Sequence, residues 1–345
     1  MSKITQNIFP LEWYLKDLPY VESNNKKVFG TFICGGGSSM GYKMAGYTHL
    51  GGVEFLEKYA NCYKANLNPK YLYVEDIRNF VQRNDLPEEL YQLDLLDGSP
   101  PCAAFSTAGL REKGLGIQKQ YEEIKQRRDD LVFIYGDTIL KLRPKVFLLE
   151  NVSGLVKGYG KIYVRDFIAK VKPFYKCQVF LLSAASMSIP QDRQRTFIIG
   201  LRNDFELPPL SLDFDCPVTT FAITEKYWEI DTGEDLNIDR FAIGKYWEET
   251  NIGESHEKRF SLIRPAINKP CPTILQSASV ISLAGICHPL YKRKLNREEC
   301  RLLCTFPLDY KFEGVLPLNI MGRSVLPVMM ANISYQIYEQ WLSKI

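Results

Sequence analysis

The stretch VFGTFICGGGSSMG, residues 28–41, decides the fold. Residues 28–33 are apolar and predict a strand, the glycines at 35–37 predict a tight turn, and residues 38–45 predict a helix. Glycines in such a turn let a ligand approach the backbone, and the first turn of the helix offers N–H groups without intrahelical partners. The spacing is not that of G-x-G-x-x-G, which disfavours a nicotinamide cofactor.

The alternation of strands and helices continues to about residue 200, which predicts an α/β fold with a parallel sheet. Further strands are predicted at 49–55, 71–74, 93–96, 146–149, 178–182 and 196–200, and helices at 56–66, 121–142 and 163–172. Ligands of open α/β sheets bind outside the carboxyl ends of the strands. The loops that carry Asp76, residues 97–104 and residues 150–154 are therefore the candidate ligand loops, and Glu54 ends the second strand, where acids hold ribose hydroxyls in dinucleotide folds.

The chain of 345 residues is 46% hydrophobic and 24% charged, which is ordinary for a globular protein with one large and one small domain. We predict a catalytic and cofactor-binding domain at 1–200, a small region at 201–300, where the alternation stops, and a return to the first domain at 301–345. The sequence has no apolar run near the roughly 18 residues that span a bilayer, and residues 1–20 do not resemble a signal peptide.

Nine cysteines are scattered without paired C-x-x-C spacing. This pattern argues against a disulfide framework and a structural zinc site, so we expect no metal and a reducing cytoplasm.

Charge is unevenly distributed along the small region. Residues 204–257 carry 14 acidic against three basic side chains, whereas residues 258–301 carry nine basic against two acidic ones. A polyanion should avoid the first stretch and tolerate the second, which includes Lys292, Arg293 and Lys294. The alternative is a solvated acidic face beside a basic one.

The segment Asp-Gly-Ser-Pro-Pro-Cys at 97–102 follows an apolar strand. The two prolines stiffen the backbone before Cys102, and a nucleophilic thiol needs such a position together with a lowered pKa. Taken alone, a cysteine after a strand is more often a small buried residue.

Two further segments carry groups suited to chemistry. Glu150 ends an apolar strand, where burial would raise its pKa and let it hold a proton for donation, although a loop carboxylate or helix cap is the alternative. Arg193 and Arg195 precede the strand at 196–200 and could bind a phosphate, a base edge or Glu150, or form a solvated basic turn.

Together, and in this order, the segments resemble the DNA cytosine-5 methyltransferase family of bacterial or phage restriction–modification systems, over nearly the whole chain. The family's F-x-G-x-G-G, P-C, E-N-V, Q-x-R-x-R, R…P-x-P-T and G-N-S-V-x-P blocks look like residues 32–37, Pro101-Cys102, 150–152, 191–195, Arg264 with 270–273, and 322–327. Two positions depart from the family pattern, because Cys34 replaces a glycine and Arg323 replaces an asparagine. Both lie where the family holds its cofactor.

The resemblance implies a Rossmann-like S-adenosylmethionine-dependent methyltransferase sheet with a smaller target-recognition domain. It implies methylation of carbon 5 of a flipped-out cytosine in double-stranded DNA, in which Cys102 adds to C6 and Glu150 protonates or hydrogen-bonds N3. Arg195 would contact the base O2, and Arg193 would bind a phosphate or orient the catalytic loop. The loop at 103–116 is expected to close over the substrate.

The resemblance also implies a cofactor site, in which Glu54 binds the ribose hydroxyls and Asp76 the adenine amino group. The expected remaining residues of this site are Phe32, Gly35, Gly36, Phe55, Ile77, Pro101, Leu131, Ser324 and Val325. The expected partner is double-stranded DNA, which we predict to be faced by the basic stretch 258–301 with Lys292, Arg293 and Lys294, and a cognate restriction endonuclease is left open. The expected state is a monomer away from membranes.

Three alternatives remain at this point. The tRNA-directed branch of the family shares the core blocks, but its C-F-T tripeptide has no clear counterpart in the recognition region. Amino-methylating enzymes have an aromatic residue where Cys102 stands. A non-catalytic DNA-binding relative would be free to lose Cys102, Glu150, Arg193 and Arg195, and all four are present.

Overall fold

The computed structural model describes residues 3–101, 119–121, 124–126, 130–158, 160–276 and 285–345. The strands are β1 (Lys27–Thr31), β2 (Thr48–Glu54), β3 (Tyr71–Val74), β4 (Leu95–Gly98), β5 (Lys119–Tyr121), β6 (Ile124–Gln126), β7 (Val146–Val152), β8 (Tyr175–Ser183), β9 (Gln191–Asp192), β10 (Gln194–Arg202), β11 (Ser255–His256), β12 (Arg259–Ile263), β13 (Cys271–Pro272) and β14 (Gly285–Ile286). The α-helices are α1 (Gly37–Met44), α2 (Glu57–Leu67), α3 (Ile77–Gln82), α4 (Leu131–Leu142), α5 (Gly160–Val171), α6 (Ala242–Glu248), α7 (Arg297–Leu303), α8 (Pro317–Met321) and α9 (Pro327–Gln340).

A seven-stranded sheet in the order β3-β2-β1-β4-β7-β10-β8 forms the centre of the fold. The predicted α/β class is confirmed, but the sheet is not wholly parallel, because β10 runs antiparallel to both β7 and β8. The connection from β8 to β10, residues 184–193, is shorter than the dozen or so residues that a parallel crossover needs. The chain therefore returns beside β8 in the opposite direction.

Two helical layers cover the sheet. Helices α1, α2 and α9 pack on one face with a core that includes Met40, Tyr63 and Met330, and helices α3, α4 and α5 pack on the other with Phe80, Tyr135 and Phe167. The C-terminal helix α9 approaches α1 closely at Gly41, where an added Cβ would lie 2.5 Å from the carbonyl oxygen of Pro327. Glycine is required at this position because the two backbones meet there.

Most predicted elements agree with the structure to within a few residues, and the exception is the helix predicted at 121–142. Helix α4 begins only at Leu131, and the segments 119–121 and 124–126 pair as antiparallel strands. The helix prediction is therefore wrong for the described residues between 121 and 130.

The region after β10 has two kinds of packing. Leu210, Leu212 and Phe214 are buried in the main core on the side of α1 and α9. A separate small core of Ile238, Ile243, Leu262 and Cys287 lies around the three-stranded sheet β11-β12-β14. The division of the chain at residues 200 and 300 stays a prediction.

In the described part of the chain, no helix is long and apolar enough to cross a membrane. The cysteines of the same ranges are free thiols.

Candidate active site at the carboxyl edge of the sheet

Glu150 lies near the end of β7 and forms an ion pair with Arg195 of the neighbouring strand β10. The Arg195 Nε atom lies 3.1 Å from Glu150 Oε1, and both side chains are about nine-tenths buried. Burial raises the pKa of Glu150, while the charges of Arg195 and Arg193 and a hydrogen bond from Ser99 act against that rise. Of the partners predicted for the arginine pair, the acid is the one that Arg195 binds.

Asn151, the next residue of the E-N-V block, connects β7 to the loop that leads into Cys102. Its side chain is buried, and Nδ2 donates a hydrogen bond to the carbonyl oxygen of Pro100 at 3.1 Å. Pro101, half-buried, is the last described residue before Cys102, and Cys102 and the loop at 103–116 lie outside the described residues. The contact ties the position of Glu150 to the start of the predicted nucleophile loop.

Arg193 has a different environment from Arg195, because only 1% of it is exposed. Its guanidinium donates to the carbonyl oxygens of Ile274 at 3.2 Å, Gly322 at 3.1 Å and Ser324 at 2.8 Å, and burial lowers its pKa to about 9. A group enclosed in this way does not reach a phosphate, so that part of the prediction is corrected. The contacts join Arg193 to the segments at 274 and 322–324, and its predicted role in orienting the catalytic loop stays a prediction.

The Q-x-R-x-R block and the P-x-P-T block form one structural unit. Strand β9 pairs with β13, the Thr273 hydroxyl donates to the carbonyl oxygen of Asp192 at 2.8 Å, and the buried Gln191 side chain accepts from the Ile274 N–H at 3.2 Å. Arg264, matched to the same late block, lies in the small region, where its guanidinium stacks 3.8 Å from the centre of the Trp247 ring. The residues matched to this late block therefore lie in two separate parts of the structure.

The glycines of the turn after β1 contact the protein itself. A Cβ on Gly35 would meet the Tyr310 hydroxyl at 2.8 Å, one on Gly37 would meet Ser324 Cβ at 2.6 Å, and Gly36 has a φ of 85°. Protein atoms therefore lie where a Cβ would stand on these glycines, and the approach of a ligand to their backbone stays a prediction. The glycines let the closing segment with Ser324 and Val325, both buried, pack directly on the turn.

Cys34 adopts a φ of 45°, in the left-handed region that favours glycine. A side chain in that region costs roughly 1–2 kcal/mol. Its backbone N–H donates to Glu54 Oε2 at 2.8 Å, and burial raises the pKa of its thiol to about 12. The thiol is therefore neutral, and the residue acts here through its backbone.

Glu54 ends β2 and Asp76 follows the adjacent strand β3 by two residues, so both lie on the same edge as the turn. Glu54 is 8% exposed and its other oxygen accepts from the Leu56 N–H at 2.9 Å. Asp76 caps α3 through the Arg78 N–H at 2.9 Å and also binds the Arg78 guanidinium, which reaches Asp130 at 2.6 Å. Each carboxylate keeps acceptor capacity, since two oxygens offer about four lone-pair sites.

The remaining residues predicted for the cofactor site are apolar or lie in the core. Phe32 and Phe55 are half-buried, against opposite faces of the sheet, while Ile77 and Leu131 are buried at the first turns of α3 and α4. Two carboxylates, a glycine turn and apolar side chains lie at one edge of the sheet. The carboxylates can accept hydrogen bonds and the apolar side chains can pack on a ring, so the set fits a nucleoside with hydroxyl and amino groups.

Asp97 lies at the carboxyl end of β4, between the two groups of residues, and no role of its own was predicted for it. It is 3% exposed, Oδ1 accepts from the Tyr42 hydroxyl at 3.2 Å, and burial together with the charge of Glu150 raises its pKa to about 7. The available signal was the same as for Glu150, an acid at the end of an apolar strand.

The basic residues at 292–294 do not form an open DNA-binding face. Lys292 pairs with Asp239 at 2.6 Å and Glu248 at 2.5 Å, Arg293 pairs with Glu299, and Lys294 is 2% exposed. The acidic stretch therefore neutralises part of the basic one, which corrects the prediction for these three residues. Exposed basic side chains in the same stretch are Lys258, Arg259 and Lys269.

Comparison with known proteins gives one consistent result. The model of the family described as C-5 cytosine-specific DNA methylase matches residues 27–339. The Type II methyltransferase M.DdeI of Desulfomicrobium norvegicum is 29% identical over 339 residues, covering 81% of this chain and 78% of the relative. The Type II methyltransferase M.HindV of Haemophilus influenzae is also 29% identical, covering 86% of this chain and 91% of the relative.

Solved structures show the same fold. A DNA modification methyltransferase encoded within an E. coli prophage superimposes with a TM-score of 0.68 at 18% identity, covering 92% of this chain and 99% of the other. A mutant of Spodoptera frugiperda DNMT2 superimposes with a TM-score of 0.66 at 17% identity, covering 91% and 100%.

Proposed function

The chain belongs to the C-5 cytosine-specific DNA methylase family and is a DNA cytosine-5 methyltransferase, and we propose that it modifies a flipped-out cytosine in a specific double-stranded DNA sequence through a covalent adduct of Cys102. The observation that carries the proposal is the pairing of Glu150 with Arg195 beside Asn151, whose side chain donates to the carbonyl oxygen of Pro100, two residues before Cys102 in the sequence. A base admitted to this place would meet an acid, a guanidinium and the nucleophile loop together.

The chemistry requires activation of the cytosine ring, because its C5 is a poor nucleophile. The Cys102 thiolate forms a bond to C6, and a proton held by Glu150 at N3 stabilises the charge that develops on the ring. C5 would then bond to the methyl group as the bond from that methyl to the donor sulfur breaks, with S-adenosylhomocysteine as the leaving group. The C5 proton would pass to a solvent base, and release of the Cys102 thiolate would restore the C5–C6 double bond. S-adenosylmethionine, when bound, supplies an electrophilic methyl group on a sulfonium.

The Glu150–Arg195 pair suggests how the acid acquires its proton. Burial favours the protonated form of Glu150, and Arg195 opposes it, so the pKa depends on where the guanidinium lies. If Arg195 turns to the base O2, its hold on Glu150 weakens and the pKa of Glu150 rises. Protonation of the acid would then be coupled to entry of the base.

The remaining predicted residues take supporting roles in this proposal. Glu54 would bind the ribose hydroxyls and Asp76 the adenine amino group, with Phe32, Phe55, Ile77, Pro101, Leu131, Ser324 and Val325 as walls and Gly35 and Gly36 in the turn. Arg193 is a positioning residue, since its three bonds join the segments at 274 and 322–324 to the end of β9.

DNA recognition is proposed for the small region, with Lys258, Arg259 and Lys269 as the exposed cations. The recognition sequence, a partner endonuclease and a monomeric state in the cytoplasm remain predictions. Bisulfite sequencing of DNA from cells that express the chain would reveal which cytosines it modifies.

Trapping on DNA that contains 5-fluorocytosine tests the mechanism directly, because fluorine at C5 blocks release of the enzyme. We expect a covalent complex in the presence of S-adenosylmethionine, no complex with Cys102→Ser, and a complex of normal yield with the control Cys177→Ser, whose thiol is half-buried on β8. No complex with the wild type, or an equal yield with Cys102→Ser, would overturn the proposal.

A further inference from the structure

Asp97 is a buried acid that the proposed methyl transfer does not use. It is 3% exposed and lies at the carboxyl end of β4, five residues before Cys102 in the sequence. The Tyr42 hydroxyl of α1 donates to its Oδ1 atom at 3.2 Å, and the Thr31 hydroxyl donates to its main-chain carbonyl oxygen at 3.1 Å. A buried carboxylate is costly to ionise unless a cation or several hydrogen bonds compensate its charge.

The position of Asp97 in the sheet is one at which α/β folds bind their ligands. Strands β2 and β3 lie on one side of β1, whereas β4, the next strand of this sheet along the chain, lies on the other side. Strands β1 and β4 therefore flank the point where the connections change direction, and open sheets bind ligands outside the carboxyl ends of such a pair. Asp97 pairs in register with Gly30, one residue before the end of β1.

The other acids at this edge have partners that compensate their charge. Glu150 pairs with Arg195, Asp76 pairs with an arginine of α3, and Glu54 accepts from two backbone N–H groups. Among the described residues, Asp97 forms no ion pair with a lysine or an arginine, and hydroxyl groups are the donors to its carboxylate. Asp97 is thus the acid whose charge the described part of the chain compensates least.

The titratable groups around Asp97 do not supply a positive charge. Tyr42 of α1, Tyr63 of α2 and Tyr135 of α4 are neutral near pH 7, because burial raises the pKa of each. The charged neighbour is Glu150, which stands two residues after the register partner of Asp97 on β7 and so lies on the same face of the sheet. Two acids on one face oppose each other's ionisation, and a cation brought by a ligand would favour the charged form of Asp97.

We propose that Asp97 is a binding residue for the methionine part of S-adenosylmethionine, in which its carboxylate supplies the negative charge opposite a cation of the ligand. This part carries an ammonium group and a sulfonium group, whereas the nucleoside part, proposed for Glu54 and Asp76, carries no positive charge. Such an ion pair is strong in a medium of low polarity, because little solvent screens it. The inference rests on the proposed function, since it takes this edge of the sheet as the cofactor site.

Calorimetric titration with three ligands, without DNA at pH 7.5, tests the inference in the wild type and in Asp97→Asn. S-adenosylmethionine carries both cations, S-adenosylhomocysteine carries only the ammonium, and methylthioadenosine carries neither. Asp97→Asn should weaken the binding of S-adenosylmethionine by about 10- to 100-fold and leave that of methylthioadenosine unchanged. A similar loss for S-adenosylhomocysteine would identify the ammonium as the partner, and an unchanged affinity for it would identify the sulfonium.

Proton release gives a second readout, which depends on the ionisation of Asp97. The pKa of Asp97 is about 7, so about half of the molecules hold this proton at pH 7, and binding of the cation should release it to the solvent. Titrations in buffers of different ionisation enthalpy measure the release, which should be smaller in Asp97→Asn by up to about half a proton. Equal release from the two proteins would contradict the inference.

Control variants separate the charge of Asp97 from its hydrogen bond and from folding. Tyr42→Phe removes the hydroxyl but keeps the carboxylate, so it should retain the preference for S-adenosylmethionine over methylthioadenosine. Asp166→Asn, which removes an exposed acid on α5, should leave the binding of all three ligands unchanged. Asp97→Ser provides a second neutral variant if Asp97→Asn does not fold.

The outcomes that contradict the inference are distinct from those that contradict the proposed function. A wild-type chain that does not bind S-adenosylmethionine overturns both. A wild type that binds, together with an Asp97→Asn variant of equal affinity, overturns only the role of Asp97. An equal loss for all three ligands also overturns it, because the substitution would then act through packing rather than through charge.

Discussion

The two sides of the carboxyl edge are built by different means. On the substrate side, at β7 and β10, charged side chains are buried and paired with one another or with carbonyl groups, as in Glu150 with Arg195 and Arg193 with three carbonyl oxygens. On the side proposed for the cofactor, at β1 and β2, the backbone N–H groups of Leu56 and of the left-handed residue Cys34 donate to the carboxylate of Glu54.

The difference indicates where substitution is tolerated. Removing one member of a buried charge network lowers the stability of the protein strongly, because the remaining partner is left without a hydrogen bond in a medium of low polarity. Hydrogen bonds from backbone N–H groups depend on φ and ψ rather than on the side chain. Several residue types can therefore stand at such a position with a small loss of stability. Both departures from the family pattern, Cys34 and Arg323, lie on the cofactor side.

The largest effect should come from Glu150→Gln on the substrate side. The amide keeps the shape of the side chain but cannot hold and donate an acidic proton, so the rate of adduct formation should fall by about 10²- to 10⁴-fold. Single-turnover trapping on 5-fluorocytosine DNA measures this rate. Glu57→Gln, an exposed change on α2, is the control, and a Glu150→Gln rate within about threefold of the wild type would remove the acid from the mechanism.

Arg193→Met should reduce stability more than activity per folded molecule. The substitution removes the Arg193 donors to three carbonyl oxygens, in bonds that are buried at Ile274 and Ser324 and partly buried at Gly322. At about 1 kcal/mol each, the free energy of unfolding should fall by about 3 kcal/mol. Urea unfolding measures the change, with exposed Arg165→Met as the reference. If the loss stays below about 1 kcal/mol, Arg193 does not hold the closing segment.

Asp97 lies on β4, between the two sides, and Asp97→Asn tests whether burial raises the pKa of this carboxylate. The pKa of Asp97 in the folded protein is about 7, above its ordinary value, so its contribution to stability is present below about pH 4 and is lost as pH rises to about 7. The variant removes that loss. Its stability relative to the wild type should therefore increase between pH 4 and pH 7 and level off above.

Urea unfolding of Asp97→Asn and the wild type at a series of pH values gives this difference. The hydrogen bond from Tyr42 is retained by the amide oxygen, so packing should change little. A difference that does not vary with pH would show that Asp97 ionises normally.

The smallest effect should come from Cys34→Gly on the cofactor side. Glycine removes the cost of a side chain at a φ of 45° but adds chain entropy to the unfolded state, so the two terms partly cancel. We expect a gain in stability of about 1 kcal/mol or less, with affinity for S-adenosylmethionine unchanged. A clear loss of stability would show that the thiol has a packing role that outweighs the backbone strain.

Much of the site was predictable because its residues stand in short blocks at strand ends. Glu150 and Arg195 were both identified, and the acid was among the partners considered for the arginines. The role of Arg193 was not predictable in the same way, since its acceptors lie 81 to 131 residues away in the sequence. Asn151 and Asp97 were not predicted as individual residues, because their contacts, with the Pro100 carbonyl and the Tyr42 hydroxyl, are seen only in the folded chain.

The sequence by itself determined the α/β alternation, the order of the chemical blocks and the residue types at the strand ends. These follow from local hydrophobic periodicity and from side-chain chemistry, which a single stretch of chain contains. The tertiary structure alone decided the direction of β10, the neutralisation of Lys292 by Asp239 and Glu248, and the bonds from Arg193 to the carbonyl oxygens at 274, 322 and 324. Each of these depends on the distance between groups far apart in the chain, and electrostatic and packing energies act through that distance.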